Sequence, residues 1–118
     1  MKLSTAELEI MELIWQLKGP VTASELAGRL AQKGWKPTTL LTFLSRMTAK
    51  GALTVEKKGK QNQYTACISS DEYRAGEAKE VLSKFYSGSV KSMVAALYND
   101  KAISQNELDE LKLWLESR

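Results

Sequence analysis

Apolar residues recur at helical spacing over three early stretches of the chain, each with its own start and stop signals. Leu8, Met11, Ile14 and Trp15 line one face of the first stretch. Ser4 and Glu7 form a capping box ahead of it. Lys18-Gly19-Pro20 ends it, with a glycine suited to follow a helix and a proline unable to continue one. Thr22 and Glu25, a second capping box, open a helix through Leu26 and Leu30 that closes at Gly34. Pro37 suits the first turn of a third helix, which runs to Gly51 with Leu40, Phe43, Leu44 and Met47 on one face. The period then drops to two. Leu53 and Val55, and after them Tyr64, Ala66 and Ile68, alternate with polar neighbours on either side of Lys58-Gly59-Lys60-Gln61-Asn62. Alternating runs around a polar, glycine-containing turn predict a β-hairpin. Helices followed directly by a hairpin give the order of a winged helix-turn-helix, over residues 1–70.

Helical spacing returns after Ser69-Ser70. Val81, Leu82 and Phe85 mark a helix from about Asp71 to Tyr86, broken near Gly88, and Val90, Met93, Val94 and Leu97 mark a shorter one. A further capping box, Ser104 with Glu107, leads into Leu108, Leu111 and Leu115. Residues 71–118 are too few to bury a core of their own, so their apolar faces need a cover, and a symmetric copy of the chain supplies one. They read as a helical dimerisation domain, with Phe85, Val90, Met93, Val94, Leu97, Leu108, Leu111 and Leu115 at the dimer interface. The expected fold class is mainly α with a small β-hairpin wing: an N-terminal winged helix-turn-helix and a C-terminal three-helix dimerisation domain.

Charge adds a direction to this picture. The 118 residues carry a net charge of +3, but unevenly. Residues 1–66 hold ten lysines or arginines against five acids, whereas residues 67–118 hold seven against nine. Between Lys33 and Lys60 seven basic residues meet a single acid, Glu56. Such a window is the footprint of a polyanion partner, most often nucleic acid. It spans the third helix and the hairpin. With Leu40 at the buried centre and about 100° per residue, Thr38, Thr42, Ser45, Arg46 and Ala49 turn outward, with Thr39 and Leu41 near the two edges. A face of short hydroxyls and small residues suits entry into a groove of double-stranded DNA. The threonines can hydrogen-bond base edges or phosphates and touch a thymine methyl, and Lys36, Arg46, Lys50, Lys57, Lys58 and Lys60 are expected to contact the backbone.

Composition excludes other classes. One cysteine and no histidine leave no disulfide framework, no ordinary zinc site and no His-based catalysis, so neither an enzyme nor a cofactor or metal is expected. Cys67 reads as a passive, partly exposed residue, and Trp15 and Trp35 as packing residues. No run of about 18 apolar residues is available to span a membrane, and charges through the first twenty residues do not suit a secretory signal, so a cytoplasmic location is expected. The alternative from another class is a winged-helix protein-interaction module whose basic face docks an acidic partner.

The chain also resembles the penicillinase-repressor family, the BlaI/MecI type, along nearly its whole length. The matching stretches are Leu8-Glu9-Ile10-Met11 with Trp15, Gly34-Trp35-Lys36-Pro37-Thr38-Thr39, then Thr42, Leu44, Arg46 and Lys50-Gly51. Gln63-Tyr64, Ile103-Ser104-Gln105-Asn106-Glu107-Leu108 and Glu110-Leu111 complete them. The resemblance implies a homodimeric repressor whose winged domains bind an inverted-repeat operator, joined by intertwined C-terminal helices. It places Thr38, Thr39, Leu41 and Thr42 in the major groove. The best-known members carry lysine in place of Thr38 and arginine in place of Leu41. Leu41 cannot form a bidentate guanine contact but can pack on thymine methyls. In the β-lactam-responsive members a membrane sensor protease triggers cleavage of an Asn-Phe bond, and that bond aligns with Ala96-Leu97, the candidate cleavage site here. The cysteine cluster of the related copper-responsive repressors is absent, which argues against copper sensing.

Overall fold

Ser4 starts the first helix as its spacing from Glu7 requires. Its hydroxyl accepts the Glu7 N–H at 3.2 Å, and the Glu7 carboxylate accepts the Ser4 N–H at 2.7 Å. The computed structural model describes residues 1–118. In chain order they form α1 (Thr5–Leu17), β1 (Val21–Thr22), α2 (Ala23–Arg29), a 3-10 turn (Ala31–Lys33), α3 (Pro37–Ala49), β2 (Leu53–Lys58), β3 (Gln61–Ala66), α4 (Ser70–Tyr86), α5 (Val90–Asn99) and α6 (Gln105–Glu116). The chain divides into two units, Met1–Tyr73 and Arg74–Arg118, with the division inside α4.

In the first unit, Ile10, Met11 and Ile14 of α1 meet Leu26 of α2, Leu40, Leu44 and Met47 of α3, and Leu53 and Tyr64 of the sheet. Phe43 is only partly buried and lies against Trp35, ring centroids 5.2 Å apart. Trp15 donates from its indole to the Ile68 carbonyl at 2.9 Å. Tyr73, in the first turn of α4, is buried beside Trp15, and its hydroxyl accepts the Leu3 N–H at 3.1 Å. The winged core therefore reaches three residues past the boundary expected at Ser70.

Several local details differ from the sequence reading: α2 stops at Arg29, and a 3-10 turn carries the chain on to Gly34 where one helix was expected. The left-handed residue ending α1 is Lys18, at φ 51, while Gly19 follows at φ 147, a region where a side chain is strained. The chain turns at once into β1, a strand too short to show a period. Val21 and Thr22 pair with Tyr64 and Gln63, which gives a three-stranded antiparallel sheet in the order β1-β3-β2. Thr22 also caps α2, its hydroxyl accepting the Glu25 N–H and donating to the Glu25 carboxylate, both at 3.2 Å. The hairpin register runs from Leu53 opposite Ala66 to Lys58 opposite Gln61. This leaves Gly59-Lys60 as a two-residue turn in which Gly59, at φ 64, supplies the positive φ such a turn needs.

The second unit has a different character. Ser87 and Gly88, at φ 49 and 81, break α4 from α5, and Ser104 with Glu107 forms the capping box of α6. No residue beyond Tyr73 is buried. Met93, Val94 and Leu108 are half-buried, while Phe85, Val90, Leu97, Leu111 and Leu115 are exposed. Trp114 is exposed too, with the Arg118 guanidinium 4.6 Å from its ring centre. No helix is long and apolar enough to cross a membrane.

Candidate nucleic-acid interface

The packing of α3 decides which of its residues can meet a partner. Leu40, Leu44 and Met47 hold one side in the core. Thr38, Leu41, Thr42, Ser45, Arg46 and Ala49 are exposed on the other, and Thr39 is half-buried at its edge. Thr42 donates its hydroxyl proton to the Thr38 carbonyl at 2.9 Å. Its oxygen is then left to accept, and its methyl to pack, which suits a base amino group or a thymine methyl.

The wing brings its lysines to this face selectively. Alternation along β2 puts Lys57 on the same side as Val55, and Glu56 with Lys58 on the other. Lys57, Lys60 and Asn62 line a concavity with Leu41 of α3, bounded by Tyr64 and by Thr22 at the start of α2. Lys58 instead lies 3.7 Å from the Glu56 carboxylate, both well exposed. A pair so solvated is worth little. Val55, assigned by alternation to the buried side with Leu53, is 43 % exposed. Leu53 alone of β2 is buried, because the strand runs out past the edge of the core. Val55 and Asn62 also line this face and were not among the site candidates read from the sequence.

Lys50 has a partner within the chain. Expected at the DNA backbone, its ammonium is 2.5 Å from the Glu7 carboxylate and 2.9 Å from the Lys2 carbonyl. Glu7 is 2 % exposed, and its second oxygen has no hydrogen-bond partner. Burial alone would push the Glu7 carboxyl up; hydrogen bonds from Lys50 and Ser4, with the attraction of the ammonium, outweigh it and hold the carboxyl below its ordinary value. Lys50 therefore fastens the end of α3 to the start of α1. Lys33 is similarly paired, with Glu9. Lys36, Arg46, Lys57 and Lys60 have no such partner, and together with Lys58, whose pair is solvated, they form the available positive charge of the basic window.

Lys50→Met is expected to destabilise the winged unit by about 1–3 kcal/mol, because it strands a buried carboxylate. Urea unfolding measures this, while the salt dependence of DNA binding should stay as it was. A carboxyl held low in the folded state stabilises above its unfolded value, and that contribution is lost as pH falls through the folded value. The difference between the two proteins should accordingly narrow in acid. An unchanged stability with a shallower salt slope would return Lys50 to the DNA.

No cluster of three or more histidine, cysteine, aspartate or glutamate side chains that could hold a metal is present. Cys67 is exposed, with its N–H bonded to the Ala52 carbonyl at 2.8 Å. What remains is a hydroxyl-rich helix face beside a lysine-bearing wing, a surface shaped and charged for a nucleic-acid groove. Comparison with known proteins agrees. The family model for the penicillinase repressor matches residues 3–117. The chain belongs to the penicillinase-repressor family. It is 34% identical over 116 residues to the penicillinase repressor of Bacillus licheniformis, covering 98% of this chain and 90% of that one. It is 29% identical over 111 residues to the methicillin resistance regulatory protein MecI of Staphylococcus aureus, covering 94% and 90%. Among solved structures, the DNA-binding domain of the repressor BlaI matches with a TM-score of 0.55 at 36% identity, covering 61% of this chain and 88% of that one. The monomeric form of Bacillus licheniformis BlaI in complex with the blaP half-operator matches at 0.53 and 35%, covering 62% and 89%. The winged helix and its place in a DNA-binding repressor family thus rest on fold and sequence together.

Proposed function

We propose that this DNA-binding repressor acts in the cytoplasm as a homodimer on an inverted-repeat operator, one winged unit to each half-site. Thr38, Thr39, Leu41 and Thr42 read the major groove, and Lys36, Arg46, Lys57 and Lys60 hold the phosphates. The observation that carries the dimer is the second unit: a row of apolar side chains on α4, α5 and α6, none of them buried within the chain. A second copy offering the same helices is the cover that such a unit calls for. The relative whose structure includes a half-operator supports the DNA reading, since its name describes a repressor binding half of a larger site.

Derepression would follow from losing the link between half-sites. Ala96 and Leu97 lie inside α5, whose residues are all exposed or half-buried. A sensor-triggered protease needs that bond extended, so this part of α5 must leave the helix before it is cut. Cutting there would separate α6 from the rest of the chain.

The test is fluorescence anisotropy of the full chain on duplexes of equal length, an inverted repeat selected from a random pool against its scrambled version, at two salt concentrations. A preference of about a thousandfold that survives the higher salt is expected. Equal binding to both, vanishing with salt, would make the basic face a docking surface for an acidic protein instead.

A further inference from the structure

Of the large apolar side chains in the winged unit, only Met1, Leu41 and Val55 remain exposed, at 54, 47 and 43 %. Met1 is the first residue. Leu41 and Val55 come from different elements, yet both line one open groove between α3 and the wing, together with Ala49. Single exposed apolar residues need no explanation, but two converging on a candidate reading face do. No acidic side chain lines this groove, nor the concavity beside it that shares Leu41, Asn62 and Tyr64 and carries Lys57 and Lys60. A partner reaching the apolar strip must pass a positive rim, which selects a polyanion over an apolar protein segment.

DNA presents one apolar group on its major-groove base edges, the 5-methyl of thymine. The exposed positions of α3 before its last turn are Pro37, Thr38, Leu41, Thr42 and Ser45. None is an arginine, lysine, asparagine or glutamine, so none can grip a guanine or an adenine in the bidentate manner. We propose that Leu41 and Val55 form a methyl-reading strip, and that the operator is chosen at this position by thymine methyl groups. This rests on the DNA-binding reading above and deepens it by naming the base feature recognised.

The test begins by selecting duplexes from a random-sequence pool with the full-length protein. Thymines of one selected half-site are then replaced singly by deoxyuridine, which removes the methyl and leaves every hydrogen-bonding group in place. At the thymine facing the strip the replacement should weaken binding about fourfold, the value of one methyl withdrawn from water. Leu41→Ala and Val55→Thr should each shrink that penalty; both sites are exposed, and unchanged melting would confirm intact folding. The strip is overturned, with DNA recognition intact, if deoxyuridine is tolerated at every position. It is equally overturned if Leu41→Ala weakens thymine and deoxyuridine duplexes by the same factor, as a contact to sugars would. A pool that yields no enriched sequence would overturn the DNA reading itself.

Discussion

Leu97→Asp together with Leu111→Asp should lower affinity for the full inverted repeat by about two to four orders of magnitude, while leaving affinity for an isolated half-site unchanged. Both side chains stand about two-fifths exposed, at 37 and 38 %, in a unit that buries nothing of its own. A carboxylate at either position keeps access to water in the single chain but must be desolvated at an apolar interface between copies. Loss of the dimer makes the two half-site contacts independent, and the second no longer benefits from the high local concentration that the first provides. Sedimentation should show a monomer, and the melting of the winged unit should be unaffected, since neither residue belongs to its core. If the doubly substituted protein still binds the full site with native affinity, the C-terminal helices do not carry the linkage.

Much of this architecture is legible before any coordinates, because its signals are local. Ser4 with Glu7, Ser104 with Glu107, Pro37 at a helix start and Gly59 in a two-residue turn each declare an element within a few residues of themselves. The outward face of α3 follows from the helical period alone, since Leu40, Leu44 and Met47 fix the buried side. What stays hidden depends on distance along the chain. Lys50 lies 43 positions from Glu7, and nothing near either residue announces their pairing, all the more because Glu7 already has a partner in Ser4. β1 is two residues long and takes its identity from β3, some forty positions on. Tyr73 reads as part of a polar helix, and only the fold brings its hydroxyl to the Leu3 N–H. Val55 shows the limit of alternation: the period gives its side of the strand, but not how far along the strand the core extends. The candidate site follows the same division. Its helix face was readable, while the sorting of its lysines into paired and unpaired was not.

That sorting leads to a sharp expectation for the wing. Lys57→Gln with Lys60→Gln should weaken half-site binding about fifty- to a hundredfold near 0.1 M salt and lower the magnitude of the salt slope by about 0.9 for each phosphate contact removed. On the full inverted repeat the slope change should double, because each copy contributes its own wing. Lys57 and Lys60 line the concavity shared with Leu41, so they stand where a strand beside α3 must pass. Lys58 lies on the opposite side of β2, near Glu56, and Lys58→Gln should change affinity and slope little. Because a phosphate contact is blind to sequence, the double substitution should weaken scrambled duplexes by the same factor, preserving the ratio between specific and random DNA. A ratio that collapses instead would mean that Lys57 or Lys60 reaches base edges. A slope unchanged in the double variant, with affinity reduced, would mean that the wing shapes the groove without touching the backbone.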